Sequence, residues 1–523
     1  MQIADGQEGA REPLDRRRQL TKGLVVTVFS NCSVSRREVL RAGTALAVTA
    51  LMLEPPRASA TEATEYRISP GRARVALKRE QGSAIEVWAY DGRIPGPEIR
   101  LRQGEPVRIV VENRLTEDTT IHWHGIRLPN AMDGVPGLTQ PPIKPGGSFV
   151  YEFTPPDAGT FWYHPHADSL QQLGRGLAGA LIVEEAEPVR VDRDLLWVLT
   201  DWRLGDDGQI APGFGNRMEA AMSGRVGNTV TLNGTVPGDQ SVRAGERLRL
   251  RLVNTSLARI MALRFEGHRP VVVATDGQPC DPHEPDGGKL LLGPAMRIDV
   301  IVDMQGDPGS RHAVVDDFYE GLAYELTSFA YAADAPLRKN PLDAPLRLPA
   351  NPLRQPDLQD AHRLELVLQG GMMSGMGGNM MGDMMNMMSG MMQGMGGMPG
   401  TTAHGRAVWS INGTSMTGDG HAGMPPLVTL AQGRSQFVTM RNETAWWHPM
   451  HLHGFSFRVL TRNGEPAPHN QWADTVLLAP RDTVELAFVG DNPGDWMLHC
   501  HITDHQTAGL MTVLRVGDGK GKT

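Results

Sequence analysis

The chain has 523 residues, of which 40% are hydrophobic and 21% charged, with 60 glycines and 38 prolines. This composition excludes a multi-span membrane protein and a wholly disordered chain, and the length suits about three domains. A net charge of −8 argues against a nucleic-acid partner. The three cysteines, Cys32, Cys280 and Cys500, are too few for a disulfide framework, so each needs its own explanation.

The first 60 residues have the features of an export signal. A twin-arginine motif begins at residues 35–37, an apolar stretch follows at 44–53, and small residues at 58–60 offer a cleavage site. The apolar stretch is about half the length of the ~20 residues that a membrane span needs. We therefore predict an extended N-terminus plus twin-arginine signal peptide over 1–60, removal of Cys32 with it, and a periplasmic protein without a transmembrane anchor.

Beyond the signal, short alternating or apolar runs are separated by Gly, Pro, Asn and Asp; residues 107–111, 148–153 and 247–252 are examples. This pattern is typical of β-sandwiches and predicts an all-β fold. A change of sequence pattern near residues 184–188 and a Pro-rich segment at 335–356 indicate domain boundaries. The predicted domains are 61–186, 187–345 and 360–517, with a Pro-rich linker at 346–359.

A low-complexity tract at 372–398 holds 13 of the 27 methionines, spaced by Gly, Asn and Ser. The tract has no strand pattern and is predicted to be a mobile insertion in the third domain. Thioether sulfur is soft and suits Cu(I), so the tract either collects Cu(I) or is an insert without catalytic importance. Its methionines are Met372, Met373, Met376, Met380, Met381, Met384, Met385, Met387, Met388, Met391, Met392, Met395 and Met398.

Ten of the 17 histidines fall in four short strings. In a strand, residues i and i+2 face the same side, so each His-x-His pair presents two imidazoles together. Neutral imidazole is a favoured ligand for Cu, Zn, Fe and Ni, and eight converging rings indicate a polynuclear metal site rather than coincidental structural histidines. The strings are His122-Trp-His124, His164-Pro-His166, His448-Pro-Met-His451-Leu-His453 and His499-Cys-His501-Ile-Thr-Asp-His505.

The cysteine in the last string indicates which metal is bound. Strand alternation points the Cys500 thiol away from the face shared by its two neighbouring histidines. His448 is offset by three residues from the next histidine of its string, an odd spacing that places it on the thiol side. His448, Cys500 and His505 can therefore form the His₂Cys set of a blue-copper site, whereas zinc prefers closed four-ligand sites. The layout favours copper.

These strings resemble those of the multicopper oxidases, and so do residues 91–100 and 159–166, so that the resemblance covers nearly all of 85–515. It implies three cupredoxin domains and four copper ions, with a trinuclear centre between the first and third domains that reduces O2 to water. The middle domain has no copper string, and we expect His268 and Cys280 there to be structural. By motif position, the implied ligands are His448, Cys500 and His505 for type 1 copper, His122 and His451 for type 2, and His124, His164, His166, His453, His499 and His501 for the type 3 pair.

Three positions bear on how this chain works. Asp133 matches a family acid near the type 2 copper, which implies proton delivery, while forming the turn before Gly134 is the alternative role. Leu510 stands where many bacterial relatives carry an axial methionine, with Met511 next; leucine has no donor atom, so the type 1 potential should rise. Gln506 stands where some relatives have a glutamate thought to deliver protons, and an amide cannot titrate.

The reducing substrate has three candidates. Copper-efflux-type cuprous oxidases carry a similar methionine tract at this place, which favours Cu(I) and copper tolerance. The Asp and Met that those relatives place just before His448 for substrate copper are missing. Trp446 and Trp447 stand beside His448 instead, and two tryptophans suit an aromatic donor, although packing is their commoner role. A laccase-like phenol or Mn(II) oxidase is therefore the alternative, and a non-catalytic copper-binding or storage protein is another. We expect a monomer that uses O2 and a small reductant.

Overall fold

The computed structural model describes residues 63–517, except 79–83, 339, 341, 345–346, 373–406 and 419–420. The predicted signal peptide with Cys32, and every methionine of the tract except Met372, lie outside the described residues. Within them, regular structure is almost entirely β, with a few helical segments of three to six residues. These segments are α1 (Ser169–Gly174), α2 (Arg217–Ala220), α3 (Thr503–Thr507) and two 3₁₀ turns at Asn130–Met132 and Asp286–Gly288.

The first group of strands forms a sandwich with an apolar interior. Its strands are β1 (Thr64–Ile68), β2 (Pro70–Val75), β3 (Ile85–Tyr90), β4 (Gly96–Arg102), β5 (Val107–Glu112), β6 (His122–His124), β7 (Ser148–Phe153), β8 (Gly159–His164) and β9 (Gly179–Glu184). One sheet has the order β1-β5-β7, another β4-β9-β8-β6, and β2 pairs with β3. In β4, Ile99 and Leu101 are buried while their neighbours Arg100 and Arg102 are exposed, the alternation expected of a strand with one face on a core.

The second group packs a six-stranded sheet, β11-β10-β13-β18-β15-β16, on a five-stranded sheet, β12-β20-β19-β14-β17. Leu248, Leu250 and Leu252 of β13 enter the core between the sheets. Its strands are β10 (Arg193–Trp202), β11 (Thr229–Leu232), β12 (Gln240–Val242), β13 (Arg247–Asn254), β14 (Met261–Phe265), β15 (Val271–Thr275), β16 (Gln278–His283), β17 (Lys289–Leu292), β18 (Arg297–Asp303), β19 (Arg311–Asp316) and β20 (Tyr324–Tyr331).

The other face of β13 joins the middle group to the first. Arg249 and Arg251 alternate with the leucines, yet each is only 1% exposed. Both guanidinium groups lie against the Asp299 carboxylate, and Arg251 also donates to the Thr160 hydroxyl of β8 at 3.0 Å. Because unpaired buried charges are very costly, this ion-pair network holds the two sandwiches in a defined relation.

The third group packs the sheet β22-β21-β24-β30-β26-β27, with β28 paired to β26, on the sheet β23-β32-β31-β25-β29. Its core is the largest buried apolar cluster described and includes Trp409, Trp496 and Cys500. Its strands are β21 (His362–Gly370), β22 (Trp409–Ile411), β23 (Val428–Ala431), β24 (Ser435–Asn442), β25 (His448–Leu452), β26 (Phe457–Arg462), β27 (Glu465–Pro466), β28 (Trp472–Ala473), β29 (Thr475–Leu478), β30 (Thr483–Val489), β31 (Gly494–Cys500) and β32 (Met511–Gly517).

The all-β prediction is confirmed. The strand groups follow one another along the chain in the predicted order, while the predicted domain limits at 186, 345 and 360 stay predictions. None of the helices in the described part of the chain is long and apolar enough to cross a membrane.

Gly134 gives a test of how closely the first domain is packed next to β6, the strand that carries His122 and His124. Its φ is +85°, and an added Cβ would lie 1.8 Å from the Ile121 carbonyl oxygen. Gly146 has a similar φ of +74° but nothing within 4 Å of an added Cβ. Both alanine variants lose about 1 kcal/mol of stability because a residue with a Cβ is held at a positive φ. Only Gly134→Ala must in addition push away the backbone carbonyl of Ile121.

We therefore expect Gly134→Ala to lower the melting temperature of the copper-free protein well beyond the effect of Gly146→Ala. Thermal unfolding followed by circular dichroism measures both. Equal shifts would show that the Ile121 contact relaxes without cost.

Candidate metal centre

The pairing of β25 with β31 sets the geometry of the site. His451 lies opposite His499, and Met450 lies opposite Cys500. Because directly opposed residues share a face of the sheet and neighbours alternate, the imidazoles of His451 and His499 lie on one face and the thiol on the other. All ten histidines of the four strings are buried, none with more than 3% of its surface exposed.

On the thiol face, the structure brings together the three residues predicted as the type 1 set. The Cys500 Sγ lies 3.5 Å from His448 Nδ1 and 3.6 Å from His505 Nδ1. The two Nδ1 atoms are 3.2 Å apart. One sulfur and two imidazole nitrogens thus converge on a single point, as a trigonal His₂Cys copper site requires.

The outer nitrogens of these two imidazoles are held by other residues. His505 Nε2 donates to the Met222 carbonyl oxygen at 2.7 Å. His448 Nε2 lies 2.8 Å from the Thr444 hydroxyl, which itself donates to Asn442 Oδ1 and so accepts from the histidine. Such outer hydrogen bonds fix the tautomer of a ligand histidine, and here they leave both Nδ1 lone pairs facing the sulfur.

On the opposite face, eight imidazoles from the first and third strand groups meet. They fall into sets of three whose ligand atoms all lie within 4.8 Å of one another. Within them, His453 Nε2 lies 3.1 Å from His499 Nε2, a pair that joins two strings of the third group. The sets are His122, His124 and His451; His124, His164 and His501; and His166, His453 and His499.

Hydrogen bonds orient these rings so that other nitrogens stay free. His122 Nδ1 donates to the Asp133 carbonyl oxygen at 2.8 Å, and His451 Nδ1 donates to the Asp474 carbonyl oxygen at 2.9 Å. The Nε2 atoms of both rings, like Nδ1 of His124 and of His501, have no hydrogen-bond partner. Buried polar atoms are rarely left unsatisfied, so the unpartnered nitrogens in the set His122, His124 and His451 fit a bound metal ion. His501 instead turns Nε2 toward His164 Nε2, at 3.4 Å.

Burial also keeps most of these imidazoles neutral. Loss of solvation is the largest cause, and neighbouring imidazoles add to it in most cases. It lowers the pKa of His505 to about 3 and raises the pKa of the Cys500 thiol, an effect that a bound metal cation reverses by coordinating the thiolate. The other imidazoles whose pKa values are lowered are His124, His164, His166, His448, His451, His453, His499 and His501.

Asp133 contacts the imidazoles of His122 and His453 and has two structural roles. Its side chain is buried, and Oδ2 accepts from His453 Nδ1 at 2.9 Å. Its carbonyl orients His122, and the residue also ends the 3₁₀ turn before Gly134. The acid therefore positions histidines from two domains, in addition to the turn role considered from the sequence.

Sequence reasoning missed a buried ion pair behind the imidazoles. Arg297 of β18 makes two hydrogen bonds to the Asp474 carboxylate, one of them 2.8 Å long. The Asp474 carboxylate in turn lies 3.2 Å from His124 Nε2. Arg297 also lies 3.3 Å from Asp276. Arg297, Asp474 and Asp276 are far apart in the sequence and belong to no motif, so only the structure shows that they meet.

The charges in this group are unequal in effect. Burial alone would raise the pKa of Asp474, but the charge and hydrogen bonds of Arg297 more than offset it and hold that pKa below its usual value. Burial and the charge of Asp474 raise the pKa of Asp276. The Arg297 guanidinium thus stabilises the charged form of Asp474 more than that of Asp276, and the Asp474 carboxylate stays charged beside His124.

The two positions near the thiol that depart from the relatives' pattern, Leu510 and Gln506, are both buried. Leu510 packs in the same buried cluster as Cys500, whereas Met511 belongs to a different cluster and lies opposite His499 in the β31–β32 register. Gln506 is buried, and its amide nitrogen has no hydrogen-bond partner. Leu510 thus lies on the thiol side and Met511 on the imidazole side of β31, and the axial position of Leu510 stays a prediction.

Two further sequence expectations concern His268 and Cys280. His268 hydrogen-bonds through both nitrogens, to the Glu266 carbonyl and the Tyr331 hydroxyl. Cys280 is 2% exposed within the core of the middle group. Neither belongs to a set of convergent metal-ligating atoms among the described residues.

Comparison with known proteins agrees with this geometry. Three family models, each described as multicopper oxidase, match residues 73–188, 193–326 and 399–520. The multicopper oxidase MmcO of Mycobacterium tuberculosis is 30% identical over 477 residues, 86% of each chain. Copper resistance protein A of Pseudomonas syringae pv. tomato is 34% identical over 294 residues, 47% of each chain.

A solved structure is similar over the whole body. The crystal structure of a multicopper oxidase from Pseudomonas thermotolerans matches with a TM-score of 0.73 and 33% sequence identity, covering 87% of this chain and 99% of that chain. The three strand groups are accordingly cupredoxin-like domains.

Cys500→Ser tests the thiol set directly. A serine hydroxyl gives neither the charge-transfer absorption of a copper thiolate nor the same electronic path to its neighbouring histidines. We expect loss of the intense blue band and of turnover, with copper still bound by the histidines on the opposite face. Cys280→Ser is the matched control, since that thiol is equally buried but far in the sequence from any histidine string, and it should stay blue. Absorption spectra and copper content measure both, and a blue Cys500→Ser protein would remove Cys500 from the site.

Proposed function

The chain belongs to the multicopper oxidase family, oxidoreductases that use O2, and from that premise we propose that it oxidises Cu(I) and reduces O2 to water. The observation that carries the proposal is the run His499-Cys500-His501, which offers a thiol to one set of ligands and one imidazole to each of two sets on the opposite face. Membership in an enzyme family also speaks against the storage-protein alternative.

We propose four resident copper ions. The type 1 ion would be held by His448, Cys500 and His505, and the type 2 ion by His122 and His451. Bound copper would supply one-electron oxidation at the thiol set and four-electron reduction of O2 at the histidine sets. The type 3 pair would be held by His124, His164, His166, His453, His499 and His501.

The protein's own contribution is a short covalent connection and a dry site. Cys500 is bonded through its backbone to both His499 and His501, so electrons need not cross a gap between side chains. Complete burial of these three side chains, none above 1% exposed, excludes bulk water from the path. Asp133, which accepts a hydrogen bond from His453, is proposed to deliver protons, because Gln506 cannot titrate.

Cu(I) as the reducing substrate is supported by where the methionine tract begins. The Met372 amide donates to the Ala221 carbonyl at 2.8 Å, and its carbonyl accepts from Trp446 Nε1 at 2.9 Å. Ala221 immediately precedes Met222, whose carbonyl holds His505. The tract therefore starts beside the thiol set, where soft thioethers can bring Cu(I) close to a type 1 ligand.

An aromatic donor is the second candidate, and Trp447 is the observation in its favour. Trp446 is half-buried against the domain core and ties down Met372, so its role here is packing and anchoring. Trp447 is partly exposed and contacts Phe318 with 5.5 Å between ring centroids. A partly exposed aromatic pair next to His448 suits a phenol. Mn(II) has no such observation and serves as a comparison.

We also propose that the protein acts in the periplasm as a monomer after removal of residues 1–60 by the twin-arginine route. Copper tolerance is the physiological setting that fits Cu(I) oxidation there. Fractionation of cells expressing the full chain, compared with an Arg36→Lys, Arg37→Lys variant of the motif, tests the route.

Oxygen uptake by the copper-loaded mature protein tests the activity. Cu(I), a phenol and Mn(II) are supplied in parallel, and copper content is measured on the same sample. The proposal expects four copper ions per chain and the highest kcat/KM with Cu(I). A protein that binds copper but consumes no O2 with any donor contradicts it.

Replacing residues 373–398 by a Gly/Ser linker of equal length separates the two substrates. The fold should survive, because the tract lacks a strand pattern and Met372 stays anchored. We expect the KM for Cu(I) to rise by about tenfold, a loss of about 1.4 kcal/mol of binding, with phenol oxidation unchanged. Trp447→Ala should have the opposite selectivity, with slower phenol oxidation and unchanged Cu(I) kinetics. Unchanged Cu(I) kinetics in the linker variant would favour the laccase-like alternative.

Leu510→Met tests the axial position. A thioether in place of the buried isobutyl group favours Cu(II), so the type 1 potential should fall. Oxidation of high-potential phenols should slow more than oxidation of easily oxidised donors. Redox titration of the blue band measures the change. An unchanged potential would indicate that another group, with Met450 opposite Cys500 the nearest choice in register, already occupies that position.

A further inference from the structure

A second group of sulfur atoms lies beside the eight imidazoles of the histidine sets, called the trinuclear histidines below. It is separate from Cys500 and from the methionine tract. Met497 and Met511 are each 1% exposed and Met416 is 7% exposed, and they pack together with Val135. Met424 is partly buried and packs against them. These four methionines, Met416, Met424, Met497 and Met511, are called the inner methionine cluster below.

Strand register places this cluster on the histidine face of β31. Met511 lies directly opposite His499, and Met497 precedes His499 by two residues in the same strand. Opposed residues and i, i+2 neighbours share one face. The flexible thioethers of Met497 and Met511 thus flank a ligand imidazole, while Cys500 and Leu510 pack together on the other face.

His421, outside the four strings, adds a ninth imidazole beside the eight of the histidine sets. It is 1% exposed, and its ring centroid lies 5.9 Å from that of His166. Neither of its ring nitrogens has a hydrogen-bond partner. Burying a polar group without a hydrogen-bond partner costs free energy. An imidazole buried in this way beside the proposed copper ligands indicates that its ring nitrogen binds a further metal ion.

Two methionines of the cluster, Met416 and Met424, lie close to His421 in the sequence, whereas Met497 and Met511 lie on β31 and β32. The His421 carbonyl accepts from the Met424 amide at 3.4 Å, and the Met416 amide donates to the Gly509 carbonyl at 3.4 Å. Residue 422 packs on the first domain, since a Cβ added at Gly137 would lie 3.0 Å from the Ala422 amide nitrogen. Residues 421–424 therefore join the partly exposed Met424 to His421, which lies beside the buried histidine sets.

We propose that His421 and the inner methionine cluster form a Cu(I)-binding site that passes copper to the trinuclear histidines during loading of the enzyme. Thioether and neutral imidazole are soft, uncharged donors that suit Cu(I) and disfavour harder ions. Exposure falls from Met424 through Met416 to Met497 and Met511, which gives a path inward. Transfer exchanges sulfur for imidazole nitrogen at an unchanged Cu(I), so no electron donor or acceptor is needed.

This inference rests on the proposed trinuclear copper site but not on the choice of reducing substrate. A phenol oxidase would need the same loading step. The site is also separate from the tract, because Met372 is tied to Trp446 and Ala221, which lie on the thiol side of β31.

The test uses copper-free full-length protein with residues 373–398 replaced by the Gly/Ser linker, so that the tract adds no sulfur. Ag(I) serves as a redox-inert probe for Cu(I), and binding is counted anaerobically against a competing chelator. Incorporation of Cu(I) is followed over time in the same protein. The variants are Met416→Leu with Met424→Leu, and separately His421→Phe, each close in volume to the residue it replaces. Met261→Leu, buried in the middle domain core, is the control.

We expect both variants to bind one Ag(I) fewer than the parent and to load Cu(I) about tenfold more slowly, reaching the same final copper content, with the control unchanged. An unaltered Ag(I) count in both variants would overturn the site. A lower count with an unaltered loading rate would overturn its loading role. Failure of Cu(I) as a reductant in oxygen uptake, with these results intact, would contradict only the proposed substrate.

Discussion

The metal centre depends on one constraint, the fixed register of β31 between β25 and β32. Because side chains alternate with a period of two, a slip of one residue would move Cys500 among the imidazoles and His499 into the apolar core. Trp496 and Leu498 are buried on the Cys500 face, and both neighbouring strands pair with β31. The same apolar burial that stabilises the third domain therefore also keeps thiol and imidazoles on their proper sides.

The middle domain, which lacks a histidine string, supports the site from behind. Its Arg297 holds the Asp474 carboxylate beside His124, and its Met222 carbonyl holds His505. Buried ion pairs contribute little net stability because desolvation is costly, but removing one partner leaves an unpaired charge. Such pairs therefore act here mainly by fixing orientation, which is what a set of rigid metal ligands requires.

Local patterns in the sequence predicted most of this arrangement. The all-β fold follows from alternating runs, and the placing of His448 on the Cys500 face needs only the strand period. His505 lies in α3, beyond the end of β31, so its position beside the thiol does not follow from that period. Asp474, Arg297 and His421 could not be found in this way, because each is a single residue brought in from a distant part of the chain. The Met222 carbonyl is harder still, since a backbone acceptor leaves no signature in residue type.

The two tryptophans show how a side chain's neighbours change the interpretation of its type. Side by side in the sequence, Trp446 and Trp447 suggest an aromatic binding face. In the structure they diverge, with Trp446 donating to the Met372 carbonyl and Trp447 packing on Phe318. Only one of the pair thus remains available to an aromatic donor, while the other fixes the start of the methionine tract.

Methionine sulfur lies on both sides of β31. On the Cys500 side, the tract begins near the carbonyl that holds His505, which is where the proposed Cu(I) substrate would give up its electron. On the His499 side, Met497 and Met511 are buried beside the imidazoles, and only Met424 of the inner methionine cluster is partly exposed. Because side chains alternate across a strand, β31 lies between the two groups of sulfur atoms, so the proposed paths of substrate copper and of resident copper are separate.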